Sequence, residues 1–188
     1  MFVGIYDIDC EIMTSVLDKI KFYSGTERKK MLKKNNIKHP KDGGSMLYGT
    51  TWRGYLSPTK TRTRDEETGL YKTKIMDMHP ELQDIFRTFA DFHLPNFEYT
   101  QVQMNKNFAC GPHFDGTNIG ESVLCTFGDF TGGNTSIEVQ LIPEKILSVS
   151  CKDRPYCFDG SKFKHWVEPW EGTRYSLVFF NNRSSKKK

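Results

Sequence analysis

His113-Phe114-Asp115 sets an imidazole and a carboxylate two positions apart. On an extended segment side chains alternate between faces, so these two share a side while Phe114 takes the other. His165, fifty-two positions later, can bring a second imidazole from another strand. Two histidines and one carboxylate make a three-donor face on a metal ion. That set suits non-haem Fe(II), because the open positions let a chelating cosubstrate and O2 bind together.

The final apolar strand carries a second pattern, Arg174-Tyr175-Ser176-Leu177-Val178-Phe179-Phe180. Alternation places Arg174, Ser176 and Val178 on one face and Tyr175, Leu177 and Phe179 on the other. A guanidinium among apolar neighbours is destabilising unless an anion meets it, and no acid on that strand can do so. A bound dicarboxylate could, through a bidentate fork and the Ser176 hydroxyl. Each residue alone also has a structural reading. His113 could be a satisfied core histidine, Asp115 a turn former before Gly116, and Arg174 an edge-strand arginine. All of these together, in this order and spacing, are improbable as accidents.

The elements that must position these groups fall into two halves. Ile12, Val16, Ile20 and Tyr23 recur at helical spacing, which predicts a helix over about 11–24 closed by Gly25, with 26–36 extending it as a basic helix. From Lys38 to Gly69 the chain is rich in Gly, Pro, Thr and charge and reads as long loops with a short strand or two. Leu82, Ile85, Phe86, Phe89 and Ala90 form one stripe of a second helix, opened by His79-Pro80 and stopped by Pro95. After Pro95 come seven short β-rich segments: FEYTQVQM, ESVLCTF, TSIEVQL, KILSVS, RPYCF, HWVEPW and RYSLVFF. The fold class is mainly β with supporting α: a sandwich or barrel with helices packed outside.

H-x-D, a distal His and R-x-S nine residues after it resemble the Fe(II)/2-oxoglutarate-dependent dioxygenases, over roughly residues 99–181. The resemblance implies a double-stranded β-helix (jelly-roll) core with N-terminal helices outside it. It implies one oxygenase domain over 1–188, in which 1–95 give helical, basic support and substrate-facing loops, 96–182 the β-helix and 183–188 a basic tail. His113, Asp115 and His165 would bind Fe(II). Arg174, supported by Ser176, would hold the C5 carboxylate of 2-oxoglutarate, and Asn105 is a candidate contact to that cosubstrate, with strand capping as its alternative. O2 would be the oxidant and succinate a product. Halogenating members replace the acid with a small residue, so Asp115 favours hydroxylation.

The segment GDFTGGN fits the family too, and Gly132-Gly133 reads simply as a φ-positive turn. It lacks the Gly-Lys-Ser/Thr ending of a phosphate cradle. Cys110, three before His113, hints at a zinc pair that no C-x-x-C completes. Cys125, Cys151 and Cys157 read as small core residues.

The substrate must be read from charge. Residues 1–64 hold thirteen Lys/Arg against six acids, a balance of +7, while the rest of the chain carries −3. This is either a solvated face or a field that attracts a polyanion. Tyr48, Trp52, Arg53 and Tyr55, then Lys60, Arg62 and Arg64, interleave cations with flat rings, as suits phosphates and a stacked or flipped base. Trp52, Arg53, Arg62 and Arg64 are the candidate substrate residues. The string PHFDGTNIGES…GDFTGG is similar to the base-modifying branch that hydroxylates thymine and 5-methylcytosine, and departs from the AlkB-type repair pattern. Nucleic acid is therefore the expected partner, with a 5-methylpyrimidine base as the target. The alternatives are a protein side-chain hydroxylase of prolyl or lysyl type, a small-molecule hydroxylase, and a non-catalytic cupin-like metal-binding barrel. Against the prolyl and lysyl type, those enzymes commonly use Lys where this chain has Arg174.

Composition sets the remaining bounds. With 13% aromatic residues the 188-residue chain is too core-rich to be disordered. No apolar run approaches twenty residues, which excludes a spanning helix and a membrane partner. The opening MFVGIYDIDCEIM has three acids and no basic region, unlike a secretory signal. Five cysteines without a C-x-x-C pair point to reduced thiols and a cytoplasmic or nuclear setting.

Overall fold

The computed structural model describes residues 4–51, 55–57, 60–66, 69–141 and 145–182. In chain order, α1 (Asp7–Asp18) and α2 (Thr26–Lys34) precede β1 (Gly44–Thr51), β2 (Tyr55–Ser57), β3 (Lys60–Thr61) and β4 (Tyr71–Lys72). Helices α3 (Lys74–Met78) and α4 (Leu82–His93) follow. The remainder is β: β5 (Gln101–Lys106), β6 (Asn118–Phe127), β7 (Phe130–Gly132), β8 (Thr135–Glu138), β9 (Ile146–Val149), β10 (Tyr156–Phe158), β11 (His165–Val167), β12 (Trp170–Gly172) and β13 (Tyr175–Asn182).

The strands pair antiparallel into a six-stranded sheet, β10-β6-β13-β5-β1-β4, and a three-stranded sheet, β11-β8-β9, with two small ribbons. The large sheet has two distinct faces because alternation is kept in register across it. Val102 and Met104 of β5, Val123 and Cys125 of β6, and Tyr175, Leu177 and Phe179 of β13 enter the apolar core with the helices. Their neighbours Gln103, Asn105, Leu124, Ser176 and Val178 line a cavity on the other face, which Thr135 and Val167 of the small sheet help to enclose. The result is the expected double-stranded β-helix: two sheets flattened around a cavity, with helices behind one of them.

Aromatic packing locks α4 onto the large sheet. Phe89 stacks on Phe179 with centroids 5.7 Å apart, while Phe86 meets Phe179 edge-on at 6.0 Å and Tyr48 at 5.2 Å. Helix α1 is tied to the same face through Asp18, which accepts a hydrogen bond from the Tyr175 hydroxyl.

Several expectations need correction. The first helix runs over Asp7–Asp18, not 11–24, and buries Met13 and Leu17 while Ile12 is 53% exposed. Asp7 and Asp9 in its first turn suit a helix N-terminus, whose free N–H groups favour negative charge. The basic helix is separate, starting after Gly25. The stretch read as loops contains β1, an eight-residue strand inside the large sheet. Glycines and hydroxyls mask its alternation, and they are needed there: a Cβ on Gly44 would lie 2.5 Å from the Tyr23 carbonyl carbon, and Gly49 has φ +118°. HWVEPW forms two strands, β11 and β12, divided at Glu168-Pro169, since Pro cannot donate to a ladder. Cys125 and Cys151 are buried as expected, but Cys157 is only half-buried. Among the described residues, no helix is long and apolar enough to cross a membrane.

Truncating Phe179 removes the ring on which α4 rests, at a site turned away from the cavity. Phe179→Ala should cost about 3–5 kcal/mol in denaturant unfolding while leaving Mn(II) affinity of the folded protein unchanged.

Candidate active site

His113 and His165 face each other in an antiparallel bridge. The His113 N–H donates to the His165 carbonyl at 3.1 Å, and the His165 N–H donates back at 3.0 Å. Their ring centroids are 4.4 Å apart. His113 lies outside any long strand, so this two-residue bridge, rather than a ladder, aligns the pair. Asp115 is held two positions on by its own N–H, which donates to the Gly160 carbonyl at 2.8 Å. Its carboxylate oxygens lie 3.7 Å from His113 Nε2 and 3.7 Å from His165 Nε2. One ligand atom from each of the three falls within 4.8 Å of the others.

The surroundings prepare these atoms for a metal. His113 Nδ1 sits 2.8 Å from the Gly111 carbonyl and His165 Nδ1 2.9 Å from the Phe163 carbonyl. A carbonyl only accepts, so each Nδ1 carries the proton and each Nε2 turns a lone pair toward the shared point. Burial, then the neighbouring His165, pushes the His113 imidazole below its ordinary value, which favours the neutral, ligating form. Asn118 Nδ2 donates to Asp115 Oδ2 at 3.3 Å. Gly160 is confined by the site: a Cβ there would lie 2.9 Å from Asp115 Oδ2 and 3.2 Å from His165 Cε1. Two imidazoles and a carboxylate, oriented this way, fit a divalent first-row metal such as Fe(II).

Arg174 lies just before β13 and is 2% exposed. Its Nε and Nη2 have no hydrogen-bond partner among the described residues. Its Cζ lies 5.7 Å from the centroids of both the Phe130 and Trp170 rings. Burial pulls the guanidinium down to about 10, the response of a cation stripped of water without an anion in exchange. Ser176, on the same face, accepts a hydrogen bond from Asn105 Nδ2 at 3.0 Å. These three and the His113/Asp115/His165 cluster line one cavity of about 310 Å³, at the small end of ligand pockets.

Gly132 and Gly133 have φ +76° and +68°, as a turn requires. That is not their whole role. A Cβ on Gly133 would lie 2.9 Å from both Cδ and Nε of Arg174, so Gly133 also makes room for the buried guanidinium.

The predicted substrate residues are not gathered here. Trp52 and Arg53 lie outside the described residues. Arg64 is spent within its own loop, donating to the Gly69 carbonyl and the Tyr71 hydroxyl at 3.0 Å each, and neither it nor Arg62 lines the cavity. Cys110 lines the cavity but is no member of the metal cluster. Arg28 and Gln103 also line the cavity, and neither stands out in the sequence. Arg28 was hidden within a basic run, although its i, i+4 spacing to Leu32 marks an inward face. Gln103 belongs to the same alternating row as Asn105, which did signal it.

No protein-family model and no curated protein matches the chain. Among solved structures it is similar to one described as NgTET1 in complex with 5mC DNA, at 16% identity and TM-score 0.55, covering 100% of this chain and 73% of that one. It is also similar to a prolyl hydroxylase from Trichoplax adhaerens in complex with a hypoxia inducible factor oxygen degradation domain peptide fragment. That likeness has 13% identity and TM-score 0.51, covering 98% of this chain and 84% of that one. What the chain shares with these two structures is the fold.

A methyl group at residue 160 would displace the Asp115 carboxylate from its place between the imidazoles. Gly160→Ala should weaken Mn(II) binding about ten- to a hundredfold, measured by calorimetry, with little change in unfolding midpoint.

Proposed function

We propose that this protein is an Fe(II)- and 2-oxoglutarate-dependent dioxygenase that hydroxylates a C–H bond of a nucleic-acid base, releasing succinate and CO2. The observation that carries the reaction class is the buried, unanswered Arg174 in one cavity with the His113/Asp115/His165 cluster. A site for a cation alone has no use for a desolvated guanidinium. A site for a metal and a diacid needs both.

In this reading His113, Asp115 and His165 would hold Fe(II). Arg174 would donate to the C5 carboxylate of 2-oxoglutarate in a bidentate fork, and Ser176, steadied by Asn105, would add a hydroxyl. Bound Fe(II) supplies activation of O2 coupled to decarboxylation of the cosubstrate. The protein's part is orientation and exclusion of water: Phe130 and Trp170 wall off Arg174, so the ion pair forms at low dielectric.

The nucleic-acid reading rests on where the positive charge sits. Helix α2 exposes Lys29, Lys30, Lys33 and Lys34 while Arg28 of the same helix lines the cavity. A polyanion drawn to those lysines would have a base within reach of the metal. The likeness to a structure holding 5mC DNA supports this reading. A peptide substrate is the second reading, favoured by the likeness to a peptide-bound prolyl hydroxylase.

Offering DNA, RNA and peptide pools, with succinate release and a product heavier by one oxygen atom as readouts, decides between them. Arg174→Leu should raise the KM for 2-oxoglutarate more than about tenfold, the loss of a charge-assisted pair, with Mn(II) affinity nearly intact. Gly133→Ala should act in the same direction. DNA affinity should fall steeply with salt, and replacing Lys29, Lys30 and Lys33 together should flatten that slope.

A further inference from the structure

Arg28 is the one basic residue of α2 that turns inward. Lys29, Lys30, Lys33 and Lys34 are exposed, whereas Arg28 is half-buried and shares its helix face with the buried Leu32. Its Nη2 donates to Gln103 Oε1 at 2.8 Å. The Gln103 amide is itself fixed. Its Nε2 donates to the Met46 carbonyl at 2.6 Å and the Ser45 hydroxyl at 3.0 Å. Since a carbonyl cannot donate, the amide nitrogen must lie on that side, and Oε1 faces Arg28 and the cavity. The guanidinium also meets the Cys110 thiol, and no carboxylate among the described residues forms an ion pair with it.

This pair sits apart from the cosubstrate end. Asn105 lies beside Ser176 across β5 and β13, and Gln103 lies one pair further along, opposite Val178. Two residues of strand put Gln103 about 7 Å beyond Asn105. Arg28 lines the same cavity as Cys110 and His113. The cavity therefore has a donor fork and a fixed acceptor at the end remote from Arg174.

Resting on the nucleobase reading, we propose that Arg28 and Gln103 recognise the substrate, and that their pattern selects a cytosine over a thymine. The pairing edge of cytosine offers two adjacent acceptors, O2 and N3, and one donor, the N4 amino group. The Arg28 fork answers the two acceptors, and the second lone pair of Gln103 Oε1 answers the donor. Thymine presents a donor at N3 and an acceptor at O4, which sets N–H against N–H and oxygen against oxygen. Gln103, held by the backbone of β1, cannot turn its amide round to accommodate that edge.

The test uses two single-stranded DNA oligonucleotides that differ at one position, 5-methylcytosine or thymine, so that the methyl group is common to both. Binding is measured by anisotropy with Mn(II) and 2-oxoglutarate, and turnover by succinate release with Fe(II). Wild-type protein should prefer 5-methylcytosine by about tenfold or more. Arg28→Lys, which keeps the charge and loses the fork, should bring the two within about twofold, with 2-oxoglutarate affinity unchanged. A preference retained in that variant overturns the role of Arg28. A tenfold loss of 2-oxoglutarate affinity overturns it too, by moving Arg28 to the cosubstrate. Equal use of both oligonucleotides by wild-type protein overturns cytosine selection and leaves base oxidation standing. Turnover on peptide alone overturns the nucleobase reading and this assignment together.

Discussion

Arg174 carries a positive charge into a wall formed by Phe130, Trp170 and the start of β13, and two of its nitrogens find no acceptor there. Removing such a cation from water costs several kcal/mol, and an uncompensated one is among the more destabilising features a small barrel can hold. The neighbouring chain is shaped around it: Gly133 gives up a side chain to clear its stem, and Asn107 fixes its backbone by accepting from the Arg174 N–H at 2.8 Å. A fold that keeps a destabilising charge in place, and builds clearance for it, fits the anion that the proposed function brings in.

The rest of the barrel brings this guanidinium and the His113/Asp115/His165 cluster to a common chamber. The large sheet separates two environments with a single layer of backbone. Tyr175, Leu177 and Phe179 face an aromatic core shared with α4, while Ser176 and Val178 face the cavity. One strand thus joins the aromatic core to the cavity wall that carries Ser176. The site's precision comes from that attachment, since β13 cannot shift toward the cavity without pulling Phe179 off Phe86 and Phe89.

The parts of this arrangement that a sequence displays are those governed by strand alternation. His113 and Asp115, and Arg174 and Ser176, were legible because period two places each pair on one side whatever the tertiary context. His165 was legible because the pair needed a third donor. Other features depend on contacts that no local pattern encodes. The first helix was misplaced because Ile12 looks like a core residue and is exposed, while Met13 and Leu17 carry the packing. Strand β1 was hidden because close backbone approaches force glycine at 44 and 49, where a strand would otherwise advertise itself with β-branched residues. Gly160 and Gly133 matter for the space that they leave empty, which only coordinates can reveal. Arg28 was lost among equals, since a basic run says nothing about which of its members turns inward.

The two backbone hydrogen bonds exchanged by His113 and His165 have an outcome for the life of the centre. They form between backbone atoms, so they owe nothing to an ion and close when the chain folds. Each Nδ1 is also tied to a carbonyl, so the fold itself orders both imidazoles. A divalent ion would then meet a socket that folding alone has shaped.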